Sequence, residues 1–157
     1  MMEVWKQHSI DELLKARALG GLVLSGISAG AIAPFAWGHA DPFPNSSAKV
    51  GQFVKISGLG LINAAVGPHF NKLVNGQNYR RPDFLNVFAD YSLDSLNRNL
   101  KYGFGIDNLA AVVVEGGLIK AAGLKGATVT AVRTNPEGSG ITFEEMSASD
   151  AIPLADL

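Results

Sequence analysis

The sequence contains no cysteine, which excludes disulfides, thiolate metal sites and a cysteine nucleophile. Histidine is scarce as well. His8, His39 and His69 are too scattered for a metal motif such as H-E-x-x-H. A surplus of either charge is also missing. Thirteen Lys and Arg against fourteen Asp and Glu leave a net charge of -1, so nothing points to nucleic acid or an anionic membrane. Residues 18 to 40 carry no Lys, Arg, Asp or Glu, a stretch long enough to span a bilayer. Glycines at 20, 21, 26 and 30 and Pro34 interrupt it, however, and its strongly apolar part, Leu22-Val23-Leu24, is short. A short apolar run ending in glycine fits a buried parallel strand better than a membrane helix. The N-terminal Met-Met-Glu and the amphipathic residues after it do not form a signal-peptide pattern. There is no internal repeat and no low-complexity tract.

What is present suits a globular fold. A chain of 157 residues, 47% hydrophobic, is long enough for one domain with a substantial core. Residues 2 to 8 read as helix. Ser9 and Glu12 have the spacing of a capping box before a second helix, whose apolar face is Ile10, Leu13 and Leu14 and whose stop is Gly20-Gly21. Leu22 to Ser25 reads as a strand, followed by a turn and a short helix from Ala29. Residues 37 to 58 read as loop. The run "LGLIN" leads through Ala64 to Val66 toward "GPHF", placing His69 just past a strand end. "RRPDFLNVFADY" reads as a helix with Pro82 in its first turn. "AAVVVEGGLIKAA" reads as a hairpin around Glu-Gly-Gly. Residues 127 to 134 alternate as a strand, and the last twenty residues read as polar and turn-rich. Apolar parallel-type strands followed by hairpin strands indicate an α/β domain with a mixed sheet.

Gly26-Ile27-Ser28-Ala29-Gly30 fits two motifs. As G-x-S-x-G it is a nucleophile elbow presenting Ser28 on a strand-to-helix turn. As G-x-x-x-G in an apolar run it is a helix-packing face. The apolar run before it and the helix-like stretch after it favour the elbow, against a plain glycine-rich connection. A serine hydroxyl needs a base to take its proton, a group to orient that base, and donors for the oxyanion. His69 is the first candidate for the base, since a side chain there emerges at a strand's end. His8 suits a surface helix, and His39 falls in the expected loop. Asp41 and Asp107 are candidate orienting acids or ordinary turn formers. Arg80-Arg81 could capture a carboxylate or simply open a helix. Gly103 and Gly105 lack the remainder of a dinucleotide fingerprint.

Several segments together carry a resemblance. "GLVLSGISAGAIAPF" resembles the nucleophile elbow of the peptidase E (aspartyl dipeptidase) and cyanophycinase family of serine peptidases. "HADPF", "GLGLINAAVGPHF", "YRRPDF" and "YGFGIDNLAAVVVEGG" resemble, in order, the family's acidic loop, its strand to a Pro-His element, its Arg-Arg-Pro helix start and its Gly-rich acidic segment. The resemblance implies a three-layer α/β/α sandwich with a mixed, largely parallel sheet, related to class I glutamine amidotransferases. It implies one domain over residues 1–157, corresponding to the C-terminal two thirds of the family's domain, with a leading βαβ region and its oxyanion-hole turn absent. Transferred by motif, Ser28 is the nucleophile and His69 the base. Asp41 is the first choice for the orienting acid and Asp107 the second, Ala29 N–H is an oxyanion donor, and Arg80 or Arg81 is the counter-charge for a substrate aspartate. Asn108 departs from the family, whose members more often carry an acid there.

The function expected from this is a cytoplasmic dipeptidase-type serine protease acting next to aspartate, without metal or cofactor. Its expected partner is a small peptide with an N-terminal Asp, with no nucleic acid and no membrane; a homodimer is compatible with the sequence. The alternative is a catalytically impaired remnant serving as a non-enzymatic fold or binding module.

Overall fold

The computed structural model describes residues 1–41, 52–93, 100–135, 137 and 140–157. Two helices open the chain, α1 (Met2–Gln7) and α2 (Ile10–Leu19). Ser9 does not cap α2 through its side chain; it sits in the left-handed region at φ 53° and makes no cap hydrogen bond. Gly20 and Gly21 end the helix as expected, Gly21 at φ 97° where a glycine carries no Cβ penalty. Leu13 and Leu19 remain largely exposed.

The six-stranded sheet forms the centre. Its strands are β1 (Phe35–Ala40), β2 (Val54–Ser57), β3 (Ile62–Pro68), β4 (Tyr102–Ile106), β7 (Val129–Thr134) and β8 (Ile141–Met146), in the order β2-β1-β3-β4-β7-β8. The pairs β1–β3 and β3–β4 are parallel, while β1–β2, β4–β7 and β7–β8 are antiparallel. The class is therefore α/β with a mixed sheet, as expected. Its parallel part is confined to the central three strands among the described residues.

Strand alternation sends side chains to two buried layers. On one face, Ala65, Trp37 and Val132 pack under α4 (Arg80–Leu93) with Phe84, Phe88 and Phe70. Glycines in β3 and β4 create the room. A Cβ on Gly67 would lie 2.9 Å from the Phe84 ring, one on Gly103 3.0 Å from Phe88, and one on Gly105 2.5 Å from Phe70. On the other face, Val66, Phe104 and Val129 meet Ile32 of α3 (Ala29–Ile32) and Ile119 and Ile152 of a second, three-stranded sheet. That sheet is β5 (Ala110–Glu115), β6 (Leu118–Gly123) and β9 (Ala151–Pro153), in the order β5-β6-β9. The β5–β6 hairpin turns on Gly116 and Gly117 at φ 57° and 75°, the double left-handed requirement of a type I′ turn.

Three expectations are corrected. Leu22 to Ser25 forms no strand among the described residues; it pairs with no strand of either sheet, with Val23 86% exposed. Of residues 37 to 58, expected as loop, 37 to 40 belong to the buried strand β1 and Val54–Ser57 forms β2, while residues 42–51 lie outside the described residues. The C-terminal segment contains β8 and β9 rather than turns alone. No described helix is long and apolar enough to cross a membrane.

Candidate active site

The elbow survives without its strand. Ser28 adopts φ 54°, ψ -115°, a region costly for a residue with a Cβ. Its turn is closed by Gly30 N–H to Ile27 O at 2.9 Å and Ala31 N–H to Ser28 O at 3.0 Å. The two motif glycines have unequal duties. A Cβ on Gly26 would sit 2.5 Å from the backbone of Gly30, whereas one on Gly30 would meet nothing within 4 Å. Gly26 is thus the residue whose bareness permits the bend. Ala29, the first residue of α3, is exposed, and no described residue accepts its N–H.

His69 stands immediately after β3 in a left-handed conformation, φ 58°. Its Nε2 lies 2.9 Å from Ser28 Oγ, and its Nδ1 lies 2.6 Å from Asn108 Oδ1. A carbonyl oxygen can only accept, so Asn108 holds the Nδ1–H tautomer. That leaves the Nε2 lone pair facing the serine hydroxyl. The result is a hydrogen-bonded Ser-His-Asn line in which the hydroxyl donates to the ring and the ring donates to the amide.

The two aspartates expected to orient the base are elsewhere. Asp41 Oδ1 accepts from Arg80 Nη2 at 2.5 Å. Asp107 Oδ2 accepts from Thr128 N at 3.1 Å and from Thr128 Oγ1 at 3.3 Å. Asp41 follows β1, whose end is bound to α4, and this draws its carboxylate to Arg80. Asp107 is one residue short: its neighbour Asn108 is the one that reaches the imidazole. The sequence singled out Asn108 only as a departure from an acid. An amide in a turn is common for purely local reasons, so its role had no separate signature.

The arginine pair also divides. Arg80 is 3% exposed. It donates through Nη1 to His39 O at 2.9 Å, pairs with Asp41 and stacks 4.4 Å from the Phe53 ring centre. It is built into the fold. Burial pushes its guanidinium pKa down, with Asp41 opposing. Arg81 is half-buried between the rings of Phe70 and Phe143, 5.4 Å from each centre. Among the described residues no carboxylate pairs with it.

His39 lies on β1, fully buried. Its Nε2 bonds Asp83 Oδ2 at 2.6 Å, and its ring packs against Phe53 and Phe84. His8 is exposed at the end of α1. Among the described residues no group of three or more His, Cys, Asp or Glu is placed to hold a metal ion.

Known proteins give a context for this geometry. An uncharacterized peptidase of Bacillus subtilis (strain 168), YgaJ, is 28% identical over 112 residues, covering 71% of this chain. The chain spans only 41% of that relative's length. No solved structure matches it. The profile of peptidase family S51 matches residues 1–122, a span that holds the elbow, His69 and Asn108, and the chain belongs to that family.

Proposed function

We propose that the chain is a serine-type peptidase that hydrolyses short peptides next to an aspartate. The observation that carries this reading is the 2.9 Å approach of Ser28 Oγ to His69 Nε2 across 41 positions of sequence, within the range proton transfer needs. The strained backbone of Ser28 supports it, since such conformations concentrate at functional sites.

In the proposed reaction, Ser28 Oγ attacks the carbonyl carbon of the peptide bond as its proton passes to His69 Nε2. Asn108 Oδ1 accepts the Nδ1–H throughout and keeps the ring plane fixed. The oxyanion takes the Ala29 N–H. The imidazolium then gives its proton to the leaving amine. A water molecule, deprotonated by the same nitrogen, attacks the acyl carbon, and the imidazolium returns that proton to Ser28 Oγ as the acyl–oxygen bond breaks. Arg81 is the counter-charge for the substrate aspartate, because Arg80 is already committed to Asp41 and to β1.

The test is hydrolysis of an aspartyl-leucine dipeptide by the purified chain and by Ser28→Ala. Loss of the nucleophile should lower kcat by roughly 10⁴-fold or more. Equal rates in the two proteins would remove the catalytic reading. They would favour the alternative of an impaired fold acting as a binding module, for which the exposed Leu22, Val23 and Ile27 would offer a contact surface.

A further inference from the structure

The proposed reaction depends on an imidazole and an amide standing on separate turns. The parallel strands β3 and β4 run in register to Pro68 and Ile106. Each is followed by a turn with a left-handed residue, His69 at φ 58° and Leu109 at φ 70°. Both turns close on themselves, by Lys72 N–H to His69 O at 3.0 Å and by Ala110 N–H to Asp107 O at 3.1 Å. Neither closure fixes one turn relative to the other. Besides the imidazole itself, a second side chain crosses between them: Asn71 Oδ1 accepts the backbone N–H of Asn108 at 2.9 Å.

From this geometry we infer that Asn71 is a positioning residue that latches the base to its orienting amide. It rests on the peptidase reading above and goes one step beyond it. Residues 69 to 71 grip Asn108 twice, through its side chain by His69 Nδ1–H and through its backbone by Asn71. The two bonds close a small ring, so the Asn108 backbone that carries the amide cannot move off the His69 turn without breaking the second contact. The rest of the frame is held independently. Phe70 N–H reaches Ile106 O at 2.9 Å, Asn78 Nδ2 reaches Phe70 O at 2.8 Å, and Asp107 is bound to Thr128. The residue at 71 must be short and must accept a hydrogen bond. Because both Asn71 and Asn108 are exposed, water replaces the lost acceptor when Asn71 is removed. The latch therefore governs orientation much more than stability.

The experiment combines kinetics with a readout that needs no turnover. Asn71→Ala should lower kcat about three- to tenfold, the worth of one ordinary hydrogen bond, with KM and the unfolding midpoint nearly unchanged. Asn71→Asp, which keeps the acceptor, should recover most of the rate. In an Asn108→Ala background, Asn71→Ala should cost nothing further, since there is no amide left to position. In ¹⁵N-labelled protein, the low-field His69 Nδ1–H proton should be sharp in the wild type and in Asn71→Asp, and broadened by exchange in Asn71→Ala. An unchanged proton signal in Asn71→Ala, or full additivity of the two rate losses, would overturn the latch. If the wild type proves no faster than Ser28→Ala, the peptidase reading fails by itself and the proton signal still decides the latch.

Discussion

The two arms that meet at the site are held very differently. The base arm is anchored at every step. His69 leaves a strand buried between two neighbours, its next residue is bonded to β4, and Phe70 fills a notch left by Gly105. The nucleophile arm is a stretch outside both sheets whose Leu22, Val23 and Ile27 are exposed. Among the described residues it is held by Leu22 N–H to Arg17 O at 2.9 Å, by its own turn, by the Ser28–His69 bond and by Ile32 of the helix that follows. The Ser28–His69 pair thus joins a rigid support to a thinly supported one, and strain is stored on both sides, at Ser28 and at His69. Substitutions should therefore act through chemistry and local strain on the first arm, and through packing on the second.

The largest effect expected on the nucleophile arm is chemical, and glycine at 28 separates it from folding. Like Ser28→Ala, Ser28→Gly removes the hydroxyl and should abolish turnover. It also relieves a backbone region that glycine enters freely. No cap hydrogen bond is lost, because the Ser28 side chain makes none to α3. Ser28→Gly should therefore raise unfolding stability by about 1 kcal/mol, while Ser28→Ala should not. Equal stability of the two variants in denaturant would mean that this arm stores no strain.

Packing gives the next contrast. On the base arm, Gly105→Ala drives a Cβ into the Phe70 ring. Overpacking of this kind costs about 1–3 kcal/mol, and the displaced ring adjoins His69, so the rate should fall with stability. On the nucleophile arm, Gly30→Ala meets no atom within 4 Å and lies inside α3. There alanine should be neutral or should stabilise by about 0.5–1 kcal/mol. Thermal unfolding of both variants checks the pair, and a reversed order would invert the assignment of the rigid arm.

The adjacent arginines sharpen the same contrast at the mouth of the site. Arg81→Ala should raise KM for aspartyl peptides about tenfold or more, the scale of a charge-assisted hydrogen bond, with little change in stability. Arg80→Ala should do the opposite. It removes the tie between β1, Asp41 and Phe53 and should lower stability by about 1–3 kcal/mol. Competition by free aspartate, measured in both variants, distinguishes the two roles.

Much of this was legible in the sequence where local chemistry and tertiary structure agree. The Gly116-Gly117 hairpin, the Arg-Arg-Pro helix start and the emergence of His69 after an apolar strand followed from turn and strand rules. Where tertiary context decides, legibility failed. β1 reads as "FAWGHA", with a glycine and a histidine and both faces buried, so it shows no alternation and looks like the loop beside it. Leu22 to Ser25 has the composition of a strand, but composition cannot supply a neighbour to pair with. β8 is largely exposed and polar, and its register against β7 is what makes it a strand. At the site, the aspartates drew notice because an acid is the usual partner of a histidine base. Each instead satisfies a nearby donor, and it is the neutral amide next door that bonds the imidazole. A buried arginine and a half-buried one cannot be told apart in the string "RR".

The smallest expected effect concerns acid, and it belongs to the support of the base arm. His39 is fully buried on β1, next to Arg80 and bonded to Asp83 in the first turn of α4. Burial lowers its pKa from the ordinary 6.5, and Arg80 adds to this, while Asp83 and Asp41 oppose it without prevailing. The folded state thus prefers the neutral imidazole, and the unfolded chain binds more protons once the pH falls below about 6.5. The stability His39 provides should be fully present above that pH and should drain away below it, down through the folded pKa. The slope can be no steeper than about 1.4 kcal/mol per pH unit for one proton. His39→Gln, which can still donate to Asp83, should flatten the fall between pH 7.5 and 5. A variant whose denaturant midpoint drops as steeply as the wild type would show that acid acts on other groups, and that the β1–α4 junction is not where the base arm yields first.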